Sequence, residues 1–332
     1  FLFRILQVFD SIIMNLFMKN DIKLSFTDTK KITKIYPDNK KNIFKPPENY
    51  HVFFCEGLIL TKKIKNKFKL TFFNKKNSLF NYINKTVYFG KFKDKHIFIH
   101  NISFGEKTKT SLNQVKFFNR KIKKEEISRS SFSDLRTIFA NLSLKDSSIA
   151  GIAKSLINWK LTNTFCTKCG EKFANSINFK WETQCIACKK IYFPRIDPVI
   201  IVIVVKGNKA LIGRSHHFPK KLYSCLAGFI ELGETLETAA RREILEEVGV
   251  YINDIKFITN QPWPFPSSLM FGLIAKAKNK KLKIDKNEIE DAFWISKQEL
   301  KQVLNGRNNN IIAAREGTIA RFLLEKWVKD EI

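Results

Sequence analysis

The 332 residues are more than one small core can use, and with 44% hydrophobic and 27% charged residues the chain is neither low-complexity nor disordered. Its 59 Lys and Arg against 31 Asp and Glu give a formal charge of +28, which favours an anionic partner such as phosphate, nucleic acid or a lipid surface. Most of the excess lies in residues 1–160, with 32 basic and 12 acidic side chains, although a general bias toward Lys, Asn, Ile and Phe competes as its source.

In chain order, the apolar run Phe1–Phe17 is interrupted by Arg4 and Asp10 and lacks a preceding basic segment. It reads as neither a membrane span nor a signal peptide. With Met14 and Met18 as candidate starts, residues 1–20 are set aside as an uncertain extension and no membrane partner is expected. From Tyr50 to Phe104, runs such as His51-Val-Phe-Phe, Thr86-Val-Tyr-Phe and His96-Ile-Phe-Ile-His alternate with Lys/Asn clusters and predict strands. Ile149, Ile152, Ala153 and Leu156 predict a helix over Ser147–Trp159. A basic, β-rich N-terminal domain over 21–160 follows, and no internal repeat is evident.

Cys166-x2-Cys169 and Cys185-x2-Cys188 have the spacing at which two tight turns present four thiolates to one Zn2+. With no open ligand position this is a structural zinc, one per chain, in a ribbon over 161–194, and Gly170 suits a turn of positive φ. Cys55 and Cys225 stand alone. The cysteines thus form a metal pattern and no disulfide framework, and the expected location is cytoplasmic.

Pro194 and Pro198 mark the start of a second domain, 195–332, whose dense β-branched run Val199–Val205 predicts a buried strand. Further strands are expected at 209–213, 255–259, 269–277 and 291–295, with helices at 235–248, 296–304 and 315–329, so this half mixes α and β. Between Gly228 and Val250, Thr235 caps a helix and Gly249 ends it, with Gly228 and Gly233 in a flexible loop before it. Glu243, Glu246 and Glu247 crowd one face within about a turn and repel unless a cation neutralises them. Hard cations such as Mg2+ or Mn2+ take oxygen ligands and substrate phosphates. Arg242 and Glu234 are expected to pair, fastening loop to helix. After the helix, Gln261-Pro262-Trp263-Pro264-Phe265-Pro266-Ser267-Ser268 carries prolines at alternate positions, which predict a stiff extended edge displaying two aromatic rings.

Gly228, Glu234, Arg242, Glu243, Ile244, Glu246, Glu247, Gly249 and Val250 match every defined position of the Nudix box, and the chain therefore resembles the Nudix hydrolases. The Gln261–Ser268 segment is similar to the SQPWPFPxS array that marks the NADH pyrophosphatase branch, with Asn260 in place of its leading Ser; the ribbon also fits that branch. The resemblance covers about 145–330; the earlier residues match only as a divergent Nudix-like domain. It implies an α/β/α sandwich and hydrolysis of the pyrophosphate of NADH or NAD+ to nicotinamide mononucleotide and AMP. It also implies metal ligation by Glu243, Glu247, Glu288 and the Ala227 carbonyl, and substrate contacts from the array, Phe229, Ala320 and Phe193, the last standing where relatives carry Tyr. Glu246 and Glu247 are both candidates for the proton acceptor, and a homodimer is expected. Two alternatives stand beside this reading. One is removal of NAD caps from RNA 5′ ends, aided by the basic half; the other is a non-enzymatic zinc-ribbon RNA-binding protein on an inactive scaffold, against which the intact box argues.

Overall fold

The computed structural model describes residues 24, 32–33, 49–73, 77–92, 95–104, 111–124, 130–174 and 180–332; the expected extension over 1–20 lies outside these. In the N-terminal half, β1 (Ile32–Thr33), β2 (Tyr50–Cys55), β3 (Leu58–Ile64), β4 (Lys67–Leu70), β5 (Ile83–Phe92) and β6 (Lys95–Ile102) form a sheet in the order β1-β5-β6-β2-β3-β4, and β7 (Ser130–Ser133) also pairs with β3. Successive strand residues point to opposite faces. Val52 and Phe54 therefore meet one apolar cluster, with Ile149, Ala153 and Leu156 of a long helix, while Phe53 and Cys55 meet another, with Phe118 and Ile122. The first pair packs on α3 (Leu144–Thr162) and the second on α1 (Ser111–Lys124), with the single turn α2 (Leu135–Ile138) between them. The half expected to be β-rich is thus itself a sheet with a helix on each face.

Helix α3 is longer at both ends than its apolar spacing predicts, because the Ser143 hydroxyl accepts from Asp146 N at 3.0 Å and starts it a turn earlier. It delivers the chain to the ribbon, whose β8 (Thr183–Gln184) and β9 (Ile191–Tyr192) pair. Trp181, just before β8, donates from Nε1 to Phe89 O at 3.0 Å and packs into the N-terminal apolar cluster, so the ribbon is fastened to that domain.

The second domain is built around β10 (Asp197–Lys206), in a sheet ordered β14 (Ile252–Trp263), β15 (Ser268–Ala277), β10, β11 (Lys209–Arg214), β16 (Asp291–Ser296), with β13 (Leu226–Phe229) also on β10. The run read as one buried strand is buried on both faces. Ile200, Val202 and Val204 pack under α4 (Leu236–Val248), while Ile201 and Ile203 pack under α5 (Lys297–Leu304) and α6 (Ile319–Val328). Burying each such side chain stabilises by about 1.5–3 kcal/mol. This is the α/β/α sandwich the sequence implies. Helix α6 begins later than the expected 315, since Thr318 Oγ1 accepts from Arg321 N at 3.2 Å and makes Thr318 the cap. The short strands β12 (Leu222–Tyr223) and β17 (Ile312–Ala313) pair beside the main sheet.

Candidate active site

Helix α4 is held at both ends as its sequence dictates. Thr235 and Thr238 form a reciprocal capping box, and Gly249 at φ 68° ends the helix with its N–H on Leu245 O at 2.9 Å. Ala239, Ala240, Ile244 and Val248 turn inward, leaving Glu243 and Glu247 on the flank facing β13. Glu288, 41 positions beyond Glu247, is brought to the same place by main-chain pairing: Lys283 N donates to Val248 O and Asp285 N to Glu247 O, both at 2.9 Å, and Ile289 is buried beneath α4. One carboxylate oxygen each from Glu243, Glu247 and Glu288 lie within 4.8 Å of one another. Glu246 stands outside this group, exposed, its Oε2 accepting from Arg242 Nη1 at 3.1 Å.

Arg242 is the hub of the box. Its Nε and Nη2 donate to Glu234 at 2.7 and 2.8 Å, Nη2 reaches Phe229 O at 2.9 Å, and Nη1 reaches Glu243 Oε1 at 2.9 Å. The expected pairing of Glu234 with Arg242 is thus present, and Glu234 also accepts from Glu231 N at 2.8 Å. Hydrogen bonds from Arg242 and from Glu231 N hold the Glu234 carboxyl down at about 2. Gly228 differs from expectation. It lies in β13, paired with Ile200, and a Cβ there would sit 1.8 Å from Glu243 Cδ. Glycine is required for close approach of the strand to that carboxylate, while the turn at positive φ belongs to Gly233 at 86°.

The carboxylates fit a divalent cation. Glu247 is buried, its Oε2 has no hydrogen-bond partner, and burial followed by the charges of Glu243, Glu288 and Glu246 pushes its carboxyl up to about 8. A buried acceptor cluster with an orphaned oxygen is satisfied by a hard cation. Glu243 is likewise raised by burial, against the pull of Arg242.

The four ribbon sulfurs also lie within 4.8 Å of one another, with Cys166 and Cys188 at 3.5 Å and Cys169 and Cys185 at 3.6 Å. These spacings approach the ~3.8 Å edge of a tetrahedron with ~2.3 Å metal–sulfur bonds. Gly170 N donates to Cys166 O at 2.9 Å and Lys189 N to Cys185 O at 3.0 Å, making two matching knuckles. Gly170 has the positive φ expected of it, 74°, and Lys189 takes the equivalent place at 60°.

The remaining residues divide. Phe193 and Phe229 are open to solvent, 67% and 60% exposed. Ala227 is next to Gly228 on β13 and pairs with Ile201. Ala320, in the first turn of α6, is buried under the opposite face of the sheet, in the cluster with Ile201 and Ile203. The proline array is not an extended rod. Gln261, Pro262 and Trp263 end β14, and Pro264–Ser267 turn back into β15, with Phe265 N on Trp263 O at 2.9 Å, because the two strands must be joined across only four residues. Gln261 is fully buried and both ends of its amide hold α6, through Gly317 O and Ile319 N, each at 2.7 Å. Pro262, Trp263, Pro264, Ser267 and Ser268 line a cavity of about 340 Å³, together with Ile152 and Ser155 of α3 and, from the ribbon side, Trp181 and Arg195. Sequence reasoning did not anticipate this cavity, whose walls come from three separate parts of the chain.

The family described as NUDIX domain matches residues 194–314, and the one described as NADH pyrophosphatase-like rudimentary NUDIX domain matches 48–159. Similar proteins include the NAD-capped RNA hydrolase NUDT12 of Homo sapiens, 38% identical over 197 residues, 56% of this chain and 42% of that protein. The mitochondrial NAD(P)H pyrophosphatase NUDT13 of Mus musculus is 34% identical over 211 residues, 60% of each chain. The NAD-capped RNA hydrolase NudC of Vibrio parahaemolyticus is 38% identical over 167 residues, 50% of this chain and 60% of its own. The matched region thus spans about half the length of these relatives.

Proposed function

Given that the chain belongs to the NADH pyrophosphatase branch of the Nudix hydrolases, we propose that it cleaves the pyrophosphate bond of NADH or NAD+ with water, giving nicotinamide mononucleotide and AMP. The observation that carries this reading is the Glu243–Glu247–Glu288 cluster with its orphaned Glu247 oxygen. These three carboxylates, with the Ala227 carbonyl, would hold Mg2+ or Mn2+. A divalent cation there supplies charge neutralisation for a diphosphate and lowers the pKa of a bound water. Arg242 keeps the box loop on α4 and so fixes Phe229, whose exposed ring is offered to a flat base or nicotinamide, as is that of Phe193. Trp263, Pro262, Pro264, Ser267 and Ser268, which line the 340 Å³ cavity, are the further substrate contacts of this reading. With Glu247 given to the cation, Glu246, outside the cluster, is the remaining candidate for the proton acceptor. The four cysteines would hold one structural Zn2+.

The test is a product assay with NADH and Mg2+ or Mn2+. The parent should give the mononucleotide and AMP in equal amounts, and Glu247→Gln, which removes charge but no volume, should lower turnover by about 10²-fold or more. Equal turnover in both would overturn the assignment.

Removal of NAD caps from RNA is the second reading, favoured by the names of two of the relatives and by the basic N-terminal half. Affinity for capped RNA should then fall steeply with salt as counterions are released, whereas NADH should show a shallow slope. Agreement of the two slopes would assign the charge to composition. Among the described residues no helix is long and apolar enough to cross a membrane. A homodimer and a cytoplasmic location belong to the same proposal.

A further inference from the structure

We propose that Phe265 is a positioning residue: it docks the catalytic sandwich on the N-terminal domain, steadies the strand that carries the site, and does not touch the substrate. As a statement about catalysis it rests on the hydrolase reading above.

The tip of the β14–β15 hairpin leaves its own sheet and enters the N-terminal apolar cluster with Trp263 and Phe265. There the Phe265 ring lies beneath two cations of the N-terminal domain, the Arg136 guanidinium at 4.8 Å and Lys154 Nζ at 5.9 Å from its centroid. The negative face of an aromatic ring attracts such groups. Trp263 closes the arrangement, 5.0 Å from Phe265 and 5.6 Å from Phe139, both edge to face. Lys154 also donates to Gly57 O at 2.7 Å, tying the contact to the β2–β3 turn. Around it, Ser155 Oγ donates to Pro266 O at 3.3 Å and Arg315 Nη1 to Arg136 O at 2.8 Å. Unlike Trp263, Phe265 takes no part in lining the cavity.

Behind the tip a short path leads to the carboxylates. Ser267 Oγ donates to Asp197 Oδ2 and Asp197 N to Ser267 O, each at 2.9 Å, and β10 begins at Asp197. Two and three residues further, Val199 and Ile200 pair with Phe229 and Gly228, and Gly228 abuts Glu243. The domain contact and the site therefore share one strand.

The test compares Phe265→Ala, Phe265→Tyr and Arg136→Ala in the full chain by NADH kinetics and by calorimetry. Phe265→Ala should lower kcat about tenfold with KM within about twofold, since displacement is transmitted but no substrate contact is lost. Its unfolding should separate into two transitions where the parent shows one. Phe265→Tyr, which keeps the ring, should restore both. Adding Arg136→Ala to Phe265→Ala should cost nothing further, because the two act as one unit. A tenfold rise in KM with parent-like unfolding would mean that the ring meets substrate, and parent-like kinetics and unfolding in every variant would mean that the contact is idle; either overturns the proposal. Should Phe265→Ala fail to fold, Arg136→Ala, at an exposed side chain, decides on the same two readouts. If the parent itself does not cleave NADH, the hydrolase reading falls while calorimetry still judges the docking.

Discussion

Gly228 and Glu243 illustrate how little room the site leaves. A methyl at 228 would overlap the Glu243 carboxyl, so Gly228→Ala should swing that side chain away and lower activity by at least about tenfold. Circular dichroism should remain parent-like, since β13 keeps its pairing; unchanged turnover would refute the close-approach role. Glu247 gives a second prediction with a definite sign. Its folded-state carboxyl sits at about 8, above the 4.5 of an unperturbed Glu. Between these values the unfolded chain has released a proton that the folded chain retains, so stability of the metal-free protein falls as pH rises from about 4.5 to about 8 and levels off above. A divalent cation relieves the repulsion between ionised carboxylates. Added Mg2+ should therefore raise the melting temperature more at pH 8 than at pH 6, and Glu247→Gln should abolish that difference.

At the level of elements, α4 was legible because its caps, its inward stripe and three of its glutamates lie within one short stretch at helical spacing. The ribbon was legible for the same reason: ligand spacing is local. Its zinc can be tested by elemental analysis, which should find one Zn2+ per chain, reduced in Cys185→Ser along with thermal stability because binding and folding are coupled. A parent without zinc would refute the ribbon reading. Glu288 could be placed only through the family resemblance, since the loop pairing that delivers it to α4 has no periodic signal. Helix α1 carries Val115, Phe118 and Ile122 at helical spacing, but the surrounding Phe- and Lys-rich sequence resembles the strands before it and masks that signal. Alternate prolines favour extension, but the ends of the array are fixed by two paired strands, so the chain turns between them. A buried pair in the N-terminal sheet offers a further test. His51 Nδ1 and His100 Nε2 lie 2.8 Å apart, and burial lowers the two rings to about 4 and about 3. Here the unfolded chain takes protons that the folded chain refuses, so stability should fall as pH drops below about 6.5 toward 4, approaching about 1.4 kcal/mol per pH unit for one ring. His100→Gln should flatten the slope seen in denaturant titrations; an unchanged slope would acquit the pair.

In the whole molecule, the division into a basic N-terminal half, a cysteine ribbon and a mixed α/β half was visible in composition and spacing. What was hidden is that the N-terminal half is also a sheet between helices, since strands buried on both faces, such as Val52–Cys55, lose the alternation that reveals a one-sided sheet. The contacts joining the halves were hidden too, because Arg136 and Phe265 are far apart in sequence and neither carries a local signal. In the proposed hydrolysis, water attacks phosphorus in NADH at the carboxylate cluster. This attack is tested most directly by turnover in 18O-labelled water with Mg2+, followed by mass measurement of the products. Reduced nicotinamide mononucleotide and AMP are expected, with one heavy oxygen in the phosphate of one of them at each cleavage. Released nicotinamide, or label absent from both phosphates, would contradict it.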